Sequence, residues 1–259
     1  MTEPLIDRIL APGGLRALLQ PVYRISGDDR AVHAVECLAR GPSGSNGESA
    51  SVLFDYVRRK REEPRVDRAC VAAALSAVRE VAEEVRICVN VHASTLARDE
   101  TFPAFFAALL KACRVDPRRI ILELVEHAPA LDVTGFTRSL HDLRDLGVRL
   151  AIDDLGIGSS NLRLIVECKP DYVKVDRYFV SGANADARKR AVLSTVVRLG
   201  AELGAEIIAE GIETEAELDL VRSLHVDLLQ GHLFCKALPA AELALREPGA
   251  FRVAQVPAA

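Results

Sequence analysis

The sequence has no apolar run approaching the roughly 20 residues that a membrane-spanning helix needs. Its first 20 residues carry Glu3, Asp7 and Arg8 where a signal peptide would have its apolar stretch. We therefore expect no membrane segment and a cytoplasmic location. Any CxxC pair is missing too: the six cysteines, Cys37, Cys70, Cys88, Cys113, Cys168 and Cys235, are scattered along the chain. Neither a zinc ribbon nor a disulfide framework is signalled, and the thiols read as reduced and mostly buried. Glycine (16) and proline (12) are too few for a collagen-like or low-complexity chain. There is no basic excess. With 33 Lys and Arg against 37 Asp and Glu the net charge is -4, which argues against a nucleic-acid polymer or an anionic membrane as partner and leaves room for a small anionic ligand.

What is present is a globular composition, 49% hydrophobic over 259 residues, enough for a sizeable core. We read residues 1–259 as a single domain with its core at about 15–245 and a loosely held C-terminal tail. Short Val- and Ile-rich runs alternate with segments of helical periodicity, the pattern of an α/β fold. The runs read as strands are Gln20 to Ile25, Ala31 to Leu38, Arg86 to His92, Arg119 to Val125, Val148 to Asp153, Tyr172 to Asp176, Ala205 to Glu210 and Val226 to Gln230. Helices are expected at Ser51 to Arg61, Val66 to Ala82, Phe102 to Cys113, Leu131 to Leu146, Ala185 to Leu203, Thr214 to Leu224 and near Ala240 to Leu245. This interleaving points to a TIM-like (β/α)8 barrel, although a doubly wound open sheet shares much of it. Only Ser26 to Arg30 separates the first two runs, too few residues for a parallel crossover, so one strand should be antiparallel. Thr214 followed by Glu217 reads as a capping box. Gly147 and Gly204 stand where left-handed helix caps are needed, each with an acid six residues later at a strand end.

The chemistry is signalled by where polar residues fall. Glu36, Asn90, Glu123, Asp153, Lys174, Glu210 and Gln230 each stand at or near the C-terminal end of a different apolar strand, the end on which barrels build active sites. One acid in such a place is often a solvated turn residue or a helix cap. Seven groups on seven strands are harder to account for that way. Three carboxylates, an amide and the adjacent pair Asp153-Asp154 at one mouth demand neutralising cations, and all-oxygen donors select Mg2+ or Mn2+ over zinc. Adjacent aspartates suit two metals, an arrangement that stabilises both oxygens of an in-line phosphoryl displacement. Lys174 would orient the attacking water or offset phosphate charge, with Asp176 on the same strand face.

These residues bring the chain to a known family. It resembles the EAL domain of bacterial cyclic di-GMP phosphodiesterases from Gln20-Pro21-Val22 to Gln230-Gly231. The resemblance rests on Glu36-Cys37-Leu38-Ala39-Arg40, Val89-Asn90-Val91 and Leu122-Glu123-Leu124-Val125-Glu126. It continues through Asp153-Asp154-Leu155-Gly156-Ile157-Gly158-Ser159-Ser160, Lys174-Val175-Asp176-Arg177, Ala209-Glu210-Gly211-Ile212-Glu213 and Gln230-Gly231. It implies a barrel hydrolysing cyclic di-GMP to linear pGpG with two Mg2+ or Mn2+ ions. By that likeness Glu36, Asn90, Glu123 and Asp153 hold one metal, Asp153, Asp154 and Glu210 the other, and Lys174 steers the water. Arg40 resembles the phosphate-contacting arginine. Gln20, Leu38, Asp176, Glu213 and Gln230 occupy substrate or supporting positions, and Glu126 resembles the glutamate anchoring the loop after the paired aspartates. The family's dimers form near the helix expected at Ala185 to Leu203, whose wide apolar face includes Val192, Val196, Leu199 and Leu203, so we expect a homodimer.

The chain departs from the family at several positions. Cys37 replaces the usual Ala, which reads as tight packing beside the site rather than a redox switch. Leu155, Ile157 and Ser159 replace Phe, Thr and Tyr, and Val125 replaces Thr. An EAL domain that keeps the pocket but has lost turnover, acting as a cyclic di-GMP receptor or interaction module, is the alternative reading. His92, two residues after Asn90, reads as structural.

Overall fold

In the computed structural model, residues 4–27, 29–125, 133–155, 161–226 and 228–252 are described. Glu126, His127, Ile157, Ser159, the side chains of Asp154 and Leu155, and the tail beyond 252 lie outside the described residues.

Eight strands close into one barrel in sequence order: β1 (Arg16–Ser26), β2 (Asp29–Arg40), β3 (Arg86–His92), β4 (Ile120–Val125), β5 (Arg149–Leu155), β6 (Tyr172–Val175), β7 (Glu206–Ala209) and β8 (Leu228–Leu229). β1 runs antiparallel to both β2 and β8, and every other neighbouring pair is parallel. The short hairpin forces this reversal, as the sequence requires. β1 begins at Arg16, ahead of the expected Gln20, because Arg16 to Leu19 pair with Cys37 to Arg40 despite their mixed polarity.

The helices pack outside the barrel. Those at Ala50–Lys60, Phe102–Cys113, Ala187–Leu203, Glu215–Ser223 and Ala240–Arg246 fall within two residues of expectation at each end. The helix at Glu63–Ala77 ends five residues earlier than its apolar periodicity implies. Gly147 and Gly204 adopt φ of 94° and 71°, the left-handed conformation that costs glycine least. The Thr214 side chain accepts from Glu217 N, and Glu217 Oε2 accepts from Thr214 N, completing the capping box.

Because strand side chains alternate with period two, the barrel interior is layered. Val22, Ala34, Cys88, Ile121, Ala151, Tyr172, Ile208 and Leu228 form an apolar belt across it, each no more than 1% exposed. Two residues further along each strand toward the C-terminal mouth (toward the N-terminal end for the reversed β1) come Gln20, Glu36, Asn90, Glu123, Asp153, Lys174, Glu210 and Gln230. Two residues the other way lie Arg24, Arg86, Arg149 and Glu206. The belt thus separates an acidic mouth from a basic one. A larger core fills the space between barrel and helices.

Candidate active site

At the acidic mouth the side chains converge on one ammonium. Lys174 Nζ lies 2.6 Å from Glu210 Oε1, 2.8 Å from Glu123 Oε2, 3.2 Å from Asp153 Oδ1 and 3.4 Å from Glu36 Oε2. Lys174 is 1% exposed and Glu123 fully buried. Asn90 Nδ2 donates to Glu36 Oε1 at 3.0 Å and Gln230 Nε2 donates to Glu36 Oε2 at 2.8 Å, so both carboxylate oxygens of Glu36 are fixed from neighbouring strands. The parallel register sets Asn90 directly opposite Glu123 and pairs Glu36 with Cys88, two residues before Asn90, so the bond from Asn90 to Glu36 runs diagonally between β2 and β3.

Four carboxylates against one ammonium leave an excess of three negative charges if all ionise. Burial and then the Glu36 carboxylate raise Glu123 well above the usual carboxylate range, against the pull of Lys174. Burial likewise raises Glu210, with Lys174 opposing it and Asp153 reinforcing it. Glu36 goes the other way: burial is outweighed by Lys174 and by the Gln230 and Asn90 amides, and its carboxyl is held low. Burial also acts to lower Lys174, but Asp153, Glu123, Glu210 and Glu36 together raise it well above its ordinary value. Lys174 is a fixed cation, which suits it to hold acids or water and not to give up a proton.

Among the described residues, no three acid, His or Cys side chains are spaced as a ready metal centre. The acids are drawn in around Lys174 instead. Donor chemistry nevertheless fits hard divalent cations: the ligands are all oxygen, the negative charge is in excess, and buried Glu123 Oε1 has no hydrogen-bond partner among the described residues.

A cavity of about 430 Å³ opens beside this cluster, reaching from Glu36, Asn90 and Asp153 past Leu38 to Phe54 and Arg58 of the helix Ala50–Lys60. His92 lines it, but its ring is tied back: Asp67 accepts from His92 N and pairs with Nδ1, both at 2.9 Å, and also accepts from Thr95 Oγ1. This supports the structural reading of His92. Asp67, 1% exposed, escaped the sequence reading because a single acid within a helix carries no motif.

The other expected site residues bond to partners outside the acid cluster. Gln20 Nε2 donates to Cys235 O at 3.1 Å, Arg40 Nη1 donates to its neighbour Ala39 O, and Asp176 caps the short helix Arg177–Val180 through Tyr178 N. Glu213 is exposed and pairs with Arg177 Nη2 at 3.0 Å.

A family model described as "EAL domain" matches residues 6–237. The chain belongs to the EAL domain family. It is 36% identical over 165 residues to the cyclic di-GMP phosphodiesterase NbdA of Pseudomonas aeruginosa, which covers 62% of this chain and 20% of that protein. Against the probable cyclic di-GMP phosphodiesterase PdeG of Escherichia coli it is 28% identical over 244 residues, 90% of this chain and 46% of that one. This EAL domain thus spans less than half of either relative. Among solved structures, the PaMucR phosphodiesterase in complex with c-di-GMP superposes with a TM-score of 0.81 at 25% identity, over 92% of this chain and 97% of that one. The manganese and cyclic di-GMP complex of Klebsiella pneumoniae BlrP1 gives 0.75 at 26% identity, over 89% and 57%. In this EAL domain the motif cysteine Cys37 is buried, and burial followed by the Glu36 charge pushes its thiol far up, so it is an inert packing group.

Proposed function

We infer that this EAL domain hydrolyses one phosphodiester of cyclic di-GMP to linear pGpG, with two Mg2+ or Mn2+ ions at the acidic mouth. The observation that carries the reading is the convergence of Glu36, Glu123, Asp153 and Glu210 on buried Lys174, an acid excess built at the end of the barrel where catalysis is placed. Relatives named as cyclic di-GMP phosphodiesterases, and a neighbouring structure holding manganese with the dinucleotide, support it.

In this reading Glu36, Asn90, Glu123 and Asp153 hold one ion, and Asp153, Asp154 and Glu210 the other. The bound ions would neutralise the phosphodiester and make water a stronger nucleophile. Asn90 and Gln230 keep Glu36 from rotating, so its oxygens stay aimed at the mouth. Lys174 balances part of the acid charge and orients the attacking water. Arg40, at the end of β2, reaches for a substrate phosphate, and the cavity running to Phe54 accommodates part of the dinucleotide. Val192 and Leu203 on the helix Ala187–Leu203, with Tyr178 near it, are exposed apolar groups that a homodimer would cover.

Glu36→Ala tests the assignment. It removes a ligand and strands the Asn90 and Gln230 amides, so hydrolysis should fall on the order of 10²-fold or more. Retention of most activity would reduce Glu36 to a strand-end acid with no part in the chemistry.

A further inference from the structure

The opposite mouth of the barrel carries an excess of positive charge that the phosphodiesterase reading does not use. Arg24, Arg86 and Arg149 converge there on His33, Tyr172 and a single carboxylate, Glu206. Arg24 pairs with Glu206, while Arg86 and Arg149 have no carboxylate partner among the described residues. Arg86 Nη1 meets His33 Nε2 at 3.3 Å, Arg24 Nη2 meets His33 Nδ1 at 3.4 Å, and Arg149 Nη1 donates to the Tyr172 hydroxyl at 3.1 Å. His33 Nε2 is also 3.3 Å from that hydroxyl.

A β-bulge aims this histidine. Val22 pairs with Ala34 and the next residue, Tyr23, with Val32, so His33 is the extra residue, turned toward the barrel interior among its arginines. Burial first, then Arg24 and Arg86, lower its pKa to about 4, with Glu206 opposing and Arg149 adding to the effect. A neutral imidazole offers one acceptor, yet both ring nitrogens face guanidinium N–H groups, so one contact sets donor against donor. The cluster is short of acceptors and of negative charge. Arg24 and Glu206 are 39% and 42% exposed along their side chains, and Arg24 lines an adjoining cavity of about 370 Å³ with Arg222 and His225, while His33, Arg86 and Arg149 are half-buried.

We propose that this N-terminal mouth is a second site, one that binds a phosphate oxyanion through Arg86, Arg149 and Arg24. Guanidinium forks match tetrahedral oxyanions, and a bound dianion supplies the missing acceptors without displacing the Glu206 pair. The site is walled off from the acidic mouth by the apolar belt.

The test is calorimetric titration of the whole chain with inorganic phosphate, and separately with GMP, in EDTA. Without divalent ions the acidic mouth repels phosphate, so failure of the catalytic reading does not affect the outcome. One site per chain is expected. Equal affinities would identify the free anion as sufficient ligand, and at least tenfold tighter GMP binding would identify a nucleotide phosphate; both support the site. The double variant Arg86→Gln/Arg149→Gln should bind about tenfold more weakly or worse, since it removes charge-assisted bonds. In wild-type protein, NMR should show the His33 ring shifting with phosphate and titrating above its starting value, while the exposed His141 ring stays put. No binding at about 10 mM of either ligand, an undiminished double variant, or a silent His33 ring would overturn the proposal.

Discussion

Glu123→Gln should make the protein more stable and less active at once. Glu123 is fully buried, its Oε1 has no hydrogen-bond partner among the described residues, and Glu36 and Asp153 press its pKa upward. An ionised buried acceptor left unpaired costs about 1–3 kcal/mol. The glutamine carbonyl can keep the 2.8 Å contact to Lys174, while its amide turns a donor toward the Glu36 carboxylate. In a chain of this size about 1 kcal/mol moves Tm by about 2–4 °C, so the variant should melt about 2–12 °C higher in EDTA at pH 8. Its folded-state pKa is raised, so the wild-type contribution to stability is present below the unfolded carboxylate range and is lost as pH rises through the folded value. The advantage of the variant should therefore vanish near pH 4 and grow toward pH 8. Hydrolysis should fall on the order of 10²-fold or more with a charged ligand gone. Calorimetric melting across that range, paired with a turnover assay, checks both halves. A variant that melts lower than wild type in EDTA would show that the buried Glu123 charge does not destabilise the fold, and one that retains turnover would exclude Glu123 from the chemistry.

Lys174→Met removes the one cation among four acids, and metal-free stability at pH 8 should drop by about 3–5 kcal/mol, with turnover falling by about 10²-fold or more; unchanged urea unfolding in EDTA would contradict this. Gly231→Ala would place a Cβ 2.0 Å from Ile212 O, forcing apart the segments that carry Glu210 and Gln230; we expect at least about 1–3 kcal/mol of destabilisation and reduced hydrolysis, and an unaltered Tm would count against the packing described. Thr214→Ala breaks the capping box and should cost about 1 kcal/mol by urea unfolding, and an unchanged unfolding midpoint would contradict the cap described.

The barrel and most of its acid set were legible because each strand repeats one pattern: an apolar run ending in a polar group. Period two carried that pattern from sequence to interior, which is why Glu36, Asn90, Glu123, Asp153, Lys174 and Glu210 meet as expected. The short helices Leu5–Leu10, Ala93–Arg98 and Asn161–Cys168 were not legible, since one or two turns hold too few residues for periodicity to show. His33 was invisible for a different reason. Strict alternation from Glu36 and Ala34 points it outward, and only the bulge turns it in. Asp67 likewise acquires its role from tertiary contact with His92 and Thr95, not from its neighbours in sequence.

A divalent-cation centre at the acid cluster around Lys174 should cut a cyclic dinucleotide only when the ion is supplied. The most direct test is nucleotide chromatography of cyclic di-GMP incubated with the purified chain, in Mg2+, in Mn2+ and in EDTA. Conversion to pGpG is expected with either ion and none in EDTA. Tight binding of cyclic di-GMP without pGpG would make the domain a receptor, and hydrolysis undiminished in EDTA would show that the acid cluster acts without divalent ions.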